Sequence, residues 1–177
     1  MAKLIINGNV QIGHVYECIF GLFKRETPGE NGELTTANKH EAVSNDYDYR
    51  IPVELIKKRA VVVIGKHNGL YIVVPISSTQ ATHKKLSKYP ENKGIHIRLV
   101  EGDLPAHGKY NQFKPRWAKC DLVTTVDGGR LRDIYDIETQ LHISAHRVTD
   151  NTLLHIRYGV MRSIGVGDLV PVEGQDS

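Results

Sequence analysis

The chain has 177 residues, 40% of them hydrophobic and 24% charged, which is the length of one domain and too apolar a composition for a disordered chain. No apolar run approaches the ~20 residues that span a bilayer, so a membrane protein of the helical kind is excluded. The net charge of +3 hides a skew: residues 1–60 are balanced, residues 61–120 carry ten basic and three acidic groups, and residues 121–177 carry five and nine, a distribution that points to a local anionic partner and not to a uniformly cationic coat.

In chain order, the first residues (MAKLIINGN) lack the long apolar core and small-residue cleavage site of an export signal. Residues 13–20 (GHVYECIF) are rich in β-formers and predict a first strand. Residues 24–50 hold Pro28, Gly29, Gly32 and several Asn and Thr, and predict a long inserted loop. Two continuous apolar runs, 60–64 and 70–74, flank Asn68-Gly69. Both turn residues tolerate positive φ, so this is a hairpin with a type I′ turn. Pro75 is expected to end the second strand, because it cannot donate to the ladder. Residues 79–94 are polar and basic and read as a second inserted loop. Residues 95–100 alternate Ile95, Ile97 and Leu99 with polar positions, as a half-exposed strand does. Residues 117–126 predict one further strand, with a turn at Asp127-Gly128-Gly129. Residues 131–149 fit a helix and a strand equally. A terminal helix follows, capped by Asp150, with Leu153, Ile156, Val160 and Ile164 on one face and Gly165 as its stop. Gly159 within it costs ~1 kcal/mol against Ala, so the helix must lean on packing. Few short strands joined by turns, with one helix, predict a mainly β (α+β) fold: a small antiparallel barrel or bent sheet in a single domain over residues 1–177.

The chain has no glycine-rich phosphate cradle, no nucleophile elbow and no two-histidine helix motif. Cys18 and Cys120 lie among strand residues and are expected to be reduced, in a cytoplasmic protein. No Cys or His pair has ligand spacing, so neither a metal nor a cofactor is expected. Polar residues at the ends of apolar strands remain. Arg59 precedes the first apolar run, either as a fixed cation for a phosphate or as a solvated charge beside Lys57 and Lys58. Ser77, Ser78 and Thr79 follow Pro75, and their hydroxyls can donate to a phosphate oxygen or close a local turn. Lys119 and Asp121, two apart on a strand, share a face as an acid–base couple or as a surface ion pair. Lys84, Lys85, Lys88 and Tyr89 mix cations with an aromatic, as backbone-tracking nucleic-acid segments do and as solvated faces also do.

The order of these pieces resembles the PemK/MazF family of bacterial toxin ribonucleases. The matching segments are 13–18 (GHVYEC), 58–64 (KRAVVVI), 70–78 (LYIVVPISS), 119–121 (KCD) with 125–127 (TVD), and the terminal helix. The resemblance implies an SH3-like barrel, a homodimer, metal-independent cleavage of single-stranded RNA, and a cognate antitoxin protein as partner. It places the family's strand-start Arg on Arg59, its hydroxyl residue on Ser77, and its Arg-Cys-Asp on Lys119, Cys120 and Asp121. It implies that Asp121 takes the proton of an RNA 2′-hydroxyl, that Arg59 and Ser77 hold the phosphate oxygens, and that Lys119 serves the leaving 5′-oxygen. Lys58, Ser78, Thr79, Lys84, Lys85 and Lys88 would then bind the RNA backbone. Three positions depart from the family pattern: Ala60 stands where Pro is usual, Ser77 replaces Thr and Lys119 replaces Arg. A family histidine from the early loop has only His40 as a counterpart. The second function class is a catalytically weak barrel of a mobile element that binds nucleic acid or protein.

Overall fold

The computed structural model describes residues 6, 8–20, 58–78, 93–105, 110, 114–136, 139–143 and 146–171. The chain divides into two compact units, residues 1–18 with 59–177, and residues 19–58. Everything below concerns the first, save Ile19 and Lys58, the terminal residues of two strands. The expected loop at 24–50 and most of that at 79–94 lie outside the described residues.

The described residues form ten strands and one α-helix: β1 His14–Ile19, β2 Lys58–His67, β3 Leu70–Ser77, β4 His96–Arg98, β5 Trp117–Lys119, β6 Thr124–Asp127, β7 Leu131–Arg132, β8 Ile134–Asp136, β9 Leu141–Ile143, β10 His146–Arg147 and α1 Asp150–Ser163. Eight strands join one sheet in the order β10-β1-β2-β3-β5-β4, with β6 also paired to β3 and β7 to β1. The ladders β1–β10, β1–β7, β2–β3, β3–β5, β3–β6 and β4–β5 are antiparallel, and β8 and β9 form a separate antiparallel hairpin. The fold is mainly β with one helix, as expected, but among the described strands the sheet does not close into a barrel.

The β2–β3 hairpin is the spine. Asn68 and Gly69 take φ values of 47° and 78°, the double positive φ of the expected type I′ turn. Val61, Val62, Val63, Val73 and Val74 have no solvent exposure, so both sheet faces are covered here. Ala60, Val62, Val74 and Ile76 join Val15, Ala118, Cys120, Leu153 and Ile156 in one core cluster beneath α1. Val61, Val63 and Val73 alternate with them and point to the opposite face.

Pro75 does not end β3, which runs on to Ser77. The reason lies in its neighbours. Residues Leu70–Val73 pair with β6, Ile76 and Ser77 pair with β5, and Pro75 falls between the two partners, where its missing N–H breaks no bond on that side. The single strand expected over 117–126 is likewise divided. A 3-10 turn at Cys120–Leu122 separates β5 from β6, so β5 can pair with both β3 and β4 while β6 returns along β3. The ambiguous 131–149 region resolves into four strands of two or three residues, too short for any periodicity to register.

The helix cap is Thr149, not Asp150: the Thr149 hydroxyl accepts from the Thr152 amide at 3.2 Å. Asp150 instead pairs with Arg147. A fully buried carboxylate, Asp103, ties the helix start to the β4–β5 connection. It accepts from the amides of Thr149 and Val100, both at 2.8 Å, and from the Thr152 hydroxyl at 2.7 Å. These bonds satisfy donors that a helix start leaves open, and the negative charge suits the positive end of the helix. Leu153 and Ile156 are buried and Val160 packs against the core. Ile164, expected on that face, lies beyond the helix and is 63% exposed. Gly165, at φ 84°, supplies the left-handed stop.

Candidate active site

At the edge of the sheet formed by β4 and β5, facing residues are fixed by register. Ser77 pairs with Trp117, and Trp117 with Arg98. Lys119 pairs with His96. Directly opposed residues of antiparallel strands point the same way. The row Ile76, Ala118 and Ile97 packs into the core beneath α1. Ser77, Trp117, Arg98, Lys119 and His96 therefore project from the other face. Arg59 joins them. Val61 pairs with Pro75, and Arg59 and Ser77 each lie two residues from that pair, so strand alternation puts both on this face.

Arg59 is half-buried. Its Nε is buried and has no hydrogen-bond partner among the described residues. A buried donor left in this condition costs ~1–3 kcal/mol, a cost that a bound anion would remove. Ser77 and Lys119 are also half-buried, and Ser78 is exposed just past the strand end. Lys58 is the exposed first residue of β2. Thr79, Lys84, Lys85, Lys88 and His40 lie outside the described residues.

Asp121 does not sit on the strand with Lys119, as the spacing suggests. It belongs to the 3-10 turn that follows β5. There it meets a residue that the sequence reading left out. The Asp121 Oδ1 and His96 Nε2 are 2.9 Å apart, with the His96 side chain 5% exposed and that of Asp121 47% exposed. The geometry is a wet carboxylate backed by a nearly buried imidazole. The hydrogen bond from His96 holds the Asp121 carboxyl below the ordinary carboxylate range. Burial opposes this, while the charges of His96 and Lys119 and a backbone amide assist it. Their separation of 25 positions carries no spacing motif. Alternation does mark His96 as a polar position on a half-exposed strand, which was the only available signal.

Neither cysteine is a nucleophile. Burial pushes each thiol up to about 12, so both stay protonated at neutral pH. The Cys120 thiol donates to the Ile156 carbonyl at 3.4 Å. Among the described residues no group of three or more His, Cys, Asp or Glu could hold a metal. No helix among them is long and apolar enough to cross a membrane.

The described residues form a one-helix, antiparallel β fold that gathers an arginine, a hydroxyl, a lysine and a histidine-backed carboxylate toward one sheet face. The profile of the PemK-like, MazF-like toxins of type II toxin-antitoxin systems matches residues 41–151, and the chain belongs to that family. It is also 35% identical over 130 residues to the putative uncharacterized protein YifN of Escherichia coli (strain K12), covering 72% of this chain and 75% of that protein. An uncharacterized protein of Haemophilus influenzae (strain ATCC 51907 / DSM 11121 / KW20 / Rd) is 32% identical over 132 residues, covering 74% of this chain and 75% of its own length. Membership of the family implies an antitoxin partner and an RNA substrate.

Proposed function

We propose that the chain is the toxin of its toxin-antitoxin pair and an endoribonuclease that cuts single-stranded RNA through the strand's own 2′-hydroxyl. The reading rests on one observation: Arg59, Ser77 and Lys119 share a sheet face beside the His96–Asp121 pair. Asp121 accepts the 2′-hydroxyl proton as that oxygen bonds to the adjacent phosphorus. The phosphorus–O5′ bond breaks, and Lys119 delivers a proton to the departing oxygen. The products are a 2′,3′-cyclic phosphate and a 5′-hydroxyl. Arg59 and Ser77 meet the charge that builds on the non-bridging oxygens. His96 is a positioning residue: it holds the carboxylate ionised and aimed.

The direct test is incubation of the purified chain with a long single-stranded RNA in EDTA. Discrete fragments ending in cyclic phosphate are expected, and a single 2′-deoxy nucleotide at a cut site should protect the link that follows it. Intact RNA with a retained gel shift would instead make the chain a binding module, the second function class.

The His96 pairing predicts a pH signature. Its hydrogen bond is the largest influence lowering Asp121, and the carboxylate must be ionised to accept a proton. Removing the bond raises the Asp121 pKa. In His96→Leu the acidic limb of the kcat/KM profile should therefore move to higher pH. A limb that stays in place would show that Asp121 is not the proton acceptor.

A further inference from the structure

Beyond Arg98 and Trp117 the two edge strands part. The Leu99 amide still donates to the Arg116 carbonyl at 2.9 Å, and the connection then opens around a pocket of about 620 Å³. That volume falls within the range of ~300–1,000 Å³ typical of small-ligand sites. Among the described residues its charged lining is Arg98, Lys114 and Arg116 against the single carboxylate of Glu101. Leu104 and Tyr110 supply apolar wall. Arg116 is held in place: its guanidinium carbon lies 5.9 Å from the centre of the Tyr110 ring, and the Tyr110 hydroxyl donates to buried Glu17 at 3.2 Å. A cation stacked on an anchored ring loses little freedom when an anion arrives.

Arg98 belongs both to this pocket and to the row that runs from Ser77 through Trp117. A strand lying along that row reaches the pocket at its end. We propose that the pocket is a nucleotide subsite: it takes a backbone phosphate of the RNA, with Arg98, Lys114 and Arg116 on the oxygens and the sugar or base against Leu104. The identity of the strand rests on the function proposed above. The location does not follow from it, because none of these pocket residues is among those assigned to the reacting link.

The test measures binding separately from cleavage. The probe is a fluorescent all-2′-deoxy oligonucleotide of about twelve nucleotides, which the proposed chemistry cannot cut, titrated into the full chain and into the Arg98→Gln/Lys114→Gln double variant. Both residues are exposed, so the melting temperature should be unchanged. The double variant should bind roughly tenfold more weakly at low salt, and its log–log salt slope should be shallower by ~0.7, the value for one lost single-strand phosphate contact. Equal affinity and equal slope in the two proteins overturn the subsite. So does a double variant that loses binding of an acidic polyglutamate peptide and keeps the oligonucleotide, which would make the pocket a protein-docking site. If the parent leaves RNA uncut and the double variant still loses oligonucleotide binding, the proposed activity fails and the subsite stands. If the parent cuts RNA and the double variant binds like it, only the subsite fails.

Discussion

Arg59→Ala should lower the cleavage rate by ~10²–10³-fold, the usual cost of removing one preorganised donor to a developing oxyanion, and should leave the melting temperature unchanged or raise it. The two halves of this result come from one observation. The Arg59 Nε is buried without a hydrogen-bond partner among the described residues, so that one N–H is taken out of water with no acceptor there to offset the loss. On the proposed function, that donor costs some stability and serves the substrate phosphate. An arginine retained for an ion pair or for packing would behave oppositely, and its removal would lower the melting temperature. Arg59→Lys keeps the charge and loses the bidentate fork, so it should fall between parent and alanine variant in rate. Full activity in Arg59→Ala, or a loss of rate fully accounted for by unfolding at a lowered melting temperature, would remove Arg59 from the chemistry.

What the sequence revealed, and what it hid, divides along physical lines. The β2–β3 hairpin was legible because its information is local: two apolar runs and an Asn-Gly between them. The helix was legible through its period and its terminal glycine. The break at Cys120–Leu122 was not, because a run of strand-forming residues continues through it; the turn falls where pairing with β4 ends and pairing along β3 skips from Ile76 to Val73. Tertiary pairing overrides local propensity there. The cap moved by one residue because Thr149 and Asp150 are both good caps, and Asp150 is drawn to Arg147. Arg59 and Ser77 could be chosen from the sequence as polar ends of apolar runs and Lys119 as the same-face neighbour of Asp121, and the order of these pieces in the family resemblance singled them out. Their common face required the register of β2, β3 and β5. The partnership of His96 with Asp121 lay beyond reach, as two segments 25 residues apart meet only through the β4–β5 ladder.

That ladder is held from behind by α1, and a single glycine sets how closely it is held. Gly159→Ala should destabilise the fold by ~1–2 kcal/mol net, although alanine is the better helix former by ~1 kcal/mol. A Cβ at position 159 would stand 2.7 Å from the Cys120 sulfur and 3.0 Å from the Gly94 carbonyl oxygen. Real Cβ contacts do not occur at the first of these distances, so something must give. The sulfur is poorly placed to do so: Cys120 is fully buried and its thiol is bonded to the Ile156 carbonyl on the same helix. The Gly94 oxygen is backbone. The helix must therefore retreat from the turn, and overpacking of this kind outweighs the gain in propensity. For a chain of this size a loss of 1–2 kcal/mol corresponds to ~2–8 °C in melting temperature. The retreat also reaches the candidate site, since Asp121 follows Cys120 and His96 lies two residues past Gly94, so the rate should fall together with stability. Adding Cys120→Ala to Gly159→Ala removes the sulfur and leaves the carbonyl, and should recover part of the loss but not all of it. The cycle formed by the two single variants and the double measures that coupling directly. A more stable Gly159→Ala, or perfect additivity in the cycle, would mean that the helix does not rest on Cys120 as closely as the geometry requires.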